Sequence, residues 1–383
     1  MAAVFALGLL AIGIELGAMI LYRSGAMTMG IPPLTLDRHI SYTDPWVLDI
    51  NEHFGVWHPP GAKSTHTSGC FKVQMEANSY GARDIERPLK SGSQTRRVVL
   101  GDSFVEGYGV DVDKRFTNLV EAATDKPQLN FGTSGYFSVL QSVLLYEHLA
   151  SKFEHDEVLL SILPANDFWD EDVDYCKEWH SDRYRPYLVG EYPNYEVKYL
   201  WKPLEESRFS KKNFEAYVAD FEEDARQARR DPKHWMRSYS HAYAAISFFL
   251  QVSKSNETAT TFQGIPHDYS GYLSVTDTQW DRMRFSLERL LKLKGDRPLT
   301  IMVIPSENDL IQHARSENGK LPFSEKIGTF VAAHPDSNIQ LLDLMDRFSK
   351  EPDAAKDCFL FCDPHWNNKG SQIAADELIR LEK

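Results

Sequence analysis

The feature that most restricts the fold is an alternation of short apolar runs with amphipathic stretches. Residues 98–101 (VVLG), 128–132 (QLNFG), 157–163 (EVLLSIL), 299–305 (LTIMVIP) and 339–344 (IQLLDL) each read as a buried strand. Between them lie stretches with apolar residues on one helical face. In 115–124 these are Phe116, Leu119, Val120 and Ala123, and 138–153, 279–293 and 323–334 follow the same pattern. A closing helix is predicted over 370–383. Strands that alternate with helices need right-handed crossovers, which make the strands parallel and cover both faces of the sheet. The expected fold class is α/β, a three-layer α/β/α domain over 96–383 with a five-stranded parallel sheet.

The alternation breaks over about 168–278, which is dense in Trp, Tyr, Asp and Glu. This segment reads as a helical insertion with helix candidates at 211–230 and 238–252. Upstream, 24–95 reads as a linker followed by short strands. Residues 71–84 alternate before a turn at 78–81, and His53, His58 and His66 are expected at the surface.

The first 22 residues are apolar for about twenty positions, enough to cross a bilayer. A basic leading region and a small-residue cleavage site are not evident, so residues 1–23 read as an uncleaved transmembrane anchor that meets the membrane through 2–22. Glu15 lies inside that stretch. A carboxylate at mid-membrane costs about 2.5–3.5 kcal/mol, so Glu15 either faces a partner helix or sits at the interface of a tilted span. Arg23 alone would place the body in the cytoplasm by the positive-inside rule. The expectation adopted is the opposite, an extracytoplasmic (periplasmic) body.

With 42 basic and 55 acidic residues the formal net charge is −13. Phosphate binding needs a basic face, so nucleic acid is not an expected partner. Cys70, Cys176, Cys358 and Cys362 form no zinc-type spacing, and their pairing cannot be read from order alone. No metal or organic cofactor is implied.

Chemistry-bearing residues gather just beyond the strands. Asp102 and Ser103 follow the first, Gly132 to Gly135 the second, and Asn166 and Asp167 the third. Asp363 and His365 precede the closing helix. In an open parallel sheet these carboxyl ends share one edge, where ligands bind. A serine hydroxyl becomes a nucleophile when a base takes its proton, and His365 is the candidate base. Asp363 would hold the imidazole tautomer. The backbone N–H groups of Ser103 and Gly135, with the Asn166 side chain, would bind an oxyanion. On local grounds Ser103 also suits a helix cap. Trp169, Trp179, Tyr184, Tyr187, Tyr192 and Tyr195 follow the Asn166 block and either stack on sugar rings or pack the insertion.

Four blocks, GDSF (101–104), NFGTSGY (130–136), AND (165–167) and DPHWNNKG (363–370), resemble in order those of the SGNH (GDSL-type) hydrolase and acyltransferase family. The segment ANSYGARD (77–84) resembles the prelude to the nucleophile strand in its membrane-anchored members. The resemblance covers about 77–167 and 299–383. It implies an SGNH/flavodoxin-like sheet, Ser103 as nucleophile, His365 as base, Asp363 as its orienter, and Gly135 and Asn166 as oxyanion donors. Two departures stand out. The Asp and His are spaced Asp363-Pro364-His365 where the family commonly has two residues between them. The shorter spacing followed by Trp, here Trp366, is similar to that of polysaccharide O-acetyltransferases. Pro164-Ala165 replaces the usual glycine before the Asn. Asp357 is the alternative orienter.

The expected function is a serine esterase or O-acyltransferase working through an acyl-serine on an ester, with an envelope or extracellular glycan as the expected carrier. The alternative, from another class, is a non-catalytic binding or assembly subunit that docks with a membrane protein partner.

Overall fold

A computed structural model describes residues 2–24, 45–67, 70–219, 223, 230, 232–255, 261–262, 265–266, 269–316, 319–361 and 363–382. Its centre is a sheet of five parallel strands: β1 (Arg97–Gly101), β2 (Gln128–Gly132), β3 (Glu157–Ile162), β4 (Leu299–Val303) and β5 (Ile339–Asp343). The order across the sheet is β5-β4-β3-β1-β2. The chain steps outward from β1 to β2, then returns across β1 to β3. That reversal leaves a crevice at the carboxyl ends of β1 and β3, the position where open α/β sheets bind ligands.

The helices follow from the same topology. α1 (Ala2–Arg23) precedes the body. α2 (Ser103–Glu106) and α3 (Phe116–Thr124) lie between β1 and β2, α4 (Val139–His148) between β2 and β3, and α5 (Pro164–Asp170) directly after β3. α6 (His241–Ser255) and α7 (Asp277–Lys294) precede β4, α8 (Pro322–Ala332) precedes β5, and α9 (Asn368–Leu381) closes the chain. Right-handed crossovers in opposite directions put α3 on one face and α4, α7 and α8 on the other. The contacts agree, since α3 packs on α9 and α4 on α7. Covered on both faces, β1 and β4 are buried at every residue, which is why they read as unbroken apolar runs. The starts of α4 and α7 are fixed by capping boxes, Ser138 with Gln141 and Thr276 with Gln279.

The N-terminal segment packs into this body. Two antiparallel hairpins, Leu48–Asn51 with Gly55–Trp57 and Lys63–Thr67 with Lys72–Glu76, precede the sheet. Phe54, Val56, Trp57 and Ala82 join the same core as the central strands. The surface placement expected for His58 and His66 is corrected: both are buried. His58 stacks on Trp46 with ring centroids 4.4 Å apart and finds polar partners inside the protein.

The insertion expected to be helical is mixed. It carries helices Val173–Trp179, Pro232–Tyr239 and α6, and also an antiparallel hairpin, Pro186–Val189 with Glu196–Tyr199. Gly190, Pro193 and Asn194 supply the turn that breaks helical periodicity there. Of the helix expected over 211–230, residues 214–219 are helical, while 220–222 and 224–229 lie outside the described residues. α1 is long and apolar enough to cross a membrane, and most of its side chains are exposed.

Close approach at the carboxyl edge requires one glycine in particular. A Cβ on Gly132 would lie 2.2 Å from the Glu106 nitrogen and 2.6 Å from the Val105 carbonyl carbon, both backbone atoms that cannot yield. Gly132→Ala is expected to lower stability by about 1–3 kcal/mol or more, read as a lower urea midpoint. Gly328, inside α8 with open space around it, is the control. Gly328→Ala is expected to raise the midpoint through helix propensity, by about 0.8–1 kcal/mol.

Candidate active site

β1 ends at Gly101, and the chain turns at once into α2. Asp102 caps that helix, its carboxylate accepting from the Phe104 N–H at 2.9 Å. The cap is therefore Asp102, and Ser103 stands at the first helical position with its hydroxyl available. The Ser103 N–H, in the first turn, has no intrahelical acceptor. Phe104, Val105 and Glu106 are buried, whereas Ser103 is half-buried. The helix lasts one turn and stops at Gly107, which takes the left-handed conformation at φ 84°.

His365 arrives on a two-stranded hairpin, Phe359–Leu360 with Asp363–Trp366. Its Nε2 lies 2.6 Å from the Ser103 Oγ. Its Nδ1 donates to Asp363 Oδ1, which also accepts the His365 backbone N–H at 3.1 Å. The proton on Nδ1 leaves Nε2 of the neutral ring free to accept from the serine. Phe104 and Tyr108 flank the imidazole with centroids 4.9 and 4.6 Å away. Buried Trp366 supports Phe104 edge-on at 5.1 Å and stacks on Phe348. The fallback orienter Asp357 is exposed, and its carbonyl accepts from Asn367 Nδ2. The described ion pairs join His365 to Asp363.

Burial alone would push the His365 pKa down, but the adjacent Asp363 carboxylate overrides this and holds it above the ordinary imidazole value. Burial would likewise raise Asp363, and the facing His365 brings it below its ordinary value. Behind the serine the sign differs. Burial pushes Asp102 up to about 6, although the Phe104 N–H and His365 favour its charged form. Burial and the nearby Asp102 push Asp167 well up. Asp170 and Glu171 are each pushed up to about 7, chiefly by burial.

The other candidate residues reach this centre less directly. Asn166, in the first turn of α5, lies beside Asp102 and favours its charged form, while the Asn166 Oδ1 is buried without a hydrogen-bond partner. Gly135 adopts φ +95°, and its Cα faces Val47 and Val56. It is tied to α2 through its neighbour Ser134, whose N–H donates to Glu106 Oε2 at 2.9 Å. Tyr136, next in the chain, has a positive φ and is 40% exposed.

Several residues that hold this arrangement were not singled out by sequence. The buried Glu106 carboxylate accepts from Trp46 Nε1 at 2.7 Å and lies 3.0 Å from His58 Nε2. Those contacts hold Glu106 down to about 2 against the upward push of burial. His58 Nδ1 donates to the Gly81 carbonyl at 2.7 Å. Arg83 donates to the carbonyls of Glu106 and Gly107 at 3.0 and 2.6 Å. On the opposite side the buried Arg185 donates to the carbonyls of Tyr136 and Asp170 at 2.5 and 3.0 Å. One guanidinium thus joins the Gly135 loop to the helix that carries Asn166. The only sequence signal for Glu106 is its place three residues after Ser103 in an otherwise buried turn, and its partners lie 28 to 60 residues away.

Most of the aromatic run packs internally. Tyr187 is buried against Trp201, Trp169 packs on Tyr175 and Tyr269, Tyr184 stacks on Tyr199, and Tyr195 meets Phe285. Tyr192 bonds Glu288 and lies under Arg284, and Trp179 is 40% exposed. Cys176 and Cys358 are buried free thiols, Cys70 is disulfide-bonded, and Cys362 lies outside the described residues. Among the described residues, no three His, Cys, Asp or Glu side chains are grouped as a metal site requires.

The fold and geometry define a mixed α/β protein with a Ser–His–Asp hydrogen-bonded chain at the carboxyl edge of a five-stranded parallel sheet. No protein-family model matches the chain, and no curated protein matches it.

The electrostatics fix a sign for reactivity. Attack by Ser103 needs neutral His365, so the rate of its modification by an organophosphorus electrophile should rise with pH. The midpoint is expected above the ordinary imidazole value of about 6.5, because Asp363 holds His365 up. Asp363→Asn should shift that midpoint downward while slowing the reaction. A pH series of inactivation rates on both proteins checks both.

Proposed function

We propose that the protein is a serine esterase or O-acyltransferase of SGNH type. The observation that carries this reading is the 2.6 Å contact of Ser103 Oγ with His365 Nε2, in line with the Asp363 contact on the other ring nitrogen. In the proposed reaction Ser103 Oγ attacks the ester carbonyl carbon as His365 Nε2 takes the hydroxyl proton. The carbonyl oxygen becomes an oxyanion facing the Ser103 N–H, with the Gly135 N–H and the Asn166 amide as further donors. Collapse breaks the bond to the leaving alkoxide, which receives the proton from His365, and an acyl-serine remains. A water or an acceptor hydroxyl, deprotonated by His365, then attacks that acyl group and restores Ser103. Hydrolysis and transfer differ only in this second nucleophile.

The proposed substrate is a short acyl ester, such as an acetyl, on a glycan of the cell envelope. Exposed Tyr136 beside Gly135 offers a face on which a sugar ring can stack. α1 is proposed to anchor the chain in a membrane. The disulfide-bonded Cys70 supports a body in an oxidising, extracytoplasmic compartment.

The test is hydrolysis of p-nitrophenyl acetate by the full chain in detergent. The parent should turn over, and Ser103→Ala and His365→Ala should each lower kcat/KM by about 10³-fold or more. A folded parent without turnover, or a Ser103→Ala variant that matches it, would leave the fold as a binding or assembly module.

A further inference from the structure

Glu15, the one carboxylate inside the apolar α1, has a partner within its own chain. Its Oε2 accepts from Ser240 Oγ at 2.6 Å and from the Ala242 N–H at 3.2 Å. Its Oε1 accepts from the His241 N–H at 2.5 Å and lies 3.0 Å from His241 Nδ1. These donors are the start of α6, a 15-residue helix whose first-turn N–H groups need acceptors. α6 then runs along α1 toward its polar end, packing Ala244 and Ala245 against Tyr22.

From Glu15 to Arg23 is eight residues, a rise of about 12 Å along a helix. The hydrocarbon core of a bilayer is about 30 Å thick. If α1 spans with Arg23 at the polar boundary, the turn at Ser240–His241 lies inside the nearer leaflet. Two side chains of α6 agree with that depth. Ile246 and Leu250, one turn apart on α6, are 58% and 54% exposed to solvent, and Met236 and Tyr239 on Pro232–Tyr239 are also exposed. A large aliphatic pair left bare on one helix face, beside an apolar span, fits lipid rather than water.

We propose that α6 and the turn at Ser240–His241 form a re-entrant membrane element. It dips into the leaflet on the body's side, with its tip fastened to α1 by Glu15 and its Ile246/Leu250 face against acyl chains. This rests on reading α1 as a membrane span. The same docking brings the bilayer surface to the candidate active site. Tyr22 meets Phe361 edge-on at 5.6 Å, and Phe361 lies two residues before Asp363 and four before His365. A substrate carried at the membrane surface would reach Ser103 without leaving the lipid boundary.

The experiment uses the full chain in lipid nanodiscs. Single cysteines replace Ile246, Leu250, Ile12 on α1 or Val112 on the body, and each carries a polarity-sensitive dye. The native free thiols Cys176 and Cys358 are buried, and the unsubstituted chain gives the background. Lipids with nitroxides on their acyl chains serve as quenchers. The proposal expects the Ile246→Cys label to be blue-shifted and quenched severalfold more than Val112→Cys, toward the level of Ile12→Cys, with Leu250→Cys, about 13.5 Å along α6 from His241 and so nearer the polar boundary, in between. Quenching of Ile12→Cys alone would overturn the re-entrant element and leave the span standing. No quenching at Ile12→Cys would remove the span, and the proposal with it. Labels at 246 and 250 shielded from water yet untouched by the lipid quencher would mean that a protein covers this face, which also overturns it.

Discussion

The arrangement around Ser103 depends on one buried carboxylate. Glu106 ends the single turn that Ser103 begins, and it gathers Trp46, His58 and the Ser134 N–H onto that turn. Two separate stretches of chain are thereby fixed to the Ser103 turn: the first N-terminal hairpin, flanked by Trp46 and His58, and the loop after β2. Removing one partner of such a buried pair leaves an uncompensated charge, at a cost of about 3–5 kcal/mol. A four-residue helix has little stability of its own. Its geometry is set by this carboxylate, by the Asp102 cap and by the close approach of Gly132.

On that support the two sides of the serine are electrostatically distinct. Toward solvent, Asp363 and His365 form an ion-paired couple in which each favours the charged form of the other. Toward the interior, Asp102, Asp167, Asp170 and Glu171 crowd together, and burial favours their neutral forms. Arg185 is one cation beside that group, with Arg183 and Arg282, and it donates to the carbonyls of Tyr136 and Asp170 and to Gln141 Oε1. The inner side therefore places less negative charge near Ser103 than four acidic residues would suggest.

Much of this was legible in sequence because it is local. The five runs became the five strands, clearest for β1, β3 and β4, which are covered on both faces and mostly apolar, whereas buried β2 includes Gln128 and Asn130 and edge strand β5 is half-exposed. Ser103 and Asn166 could be grouped because parallel strands bring their carboxyl ends to one edge, and Asp363 and His365 joined them through their place just before the closing helix, although they arrive on a hairpin of their own. What escaped is non-local. His58 looked like a surface residue because nothing near it in the chain predicts burial, and its partner Glu106 is 48 positions away. The capping role fell to Asp102, one residue before the serine, a choice that local preference leaves open. Glu15 had two readings in sequence, and the structure gives it a helix of the same chain, 225 residues on. The insertion hairpin at 186–199 was hidden by the charged and aromatic residues around it.

The central claim is that Ser103 carries the acyl group. The most direct measurement is mass spectrometry of the intact protein, acid-quenched during turnover of an activated acetyl ester, followed by peptide mapping. The account predicts one added acetyl group on Ser103, which accumulates in the parent and is absent from His365→Ala. An acetyl on another residue, or ester turnover with Ser103 unmodified at every quench time, would contradict it.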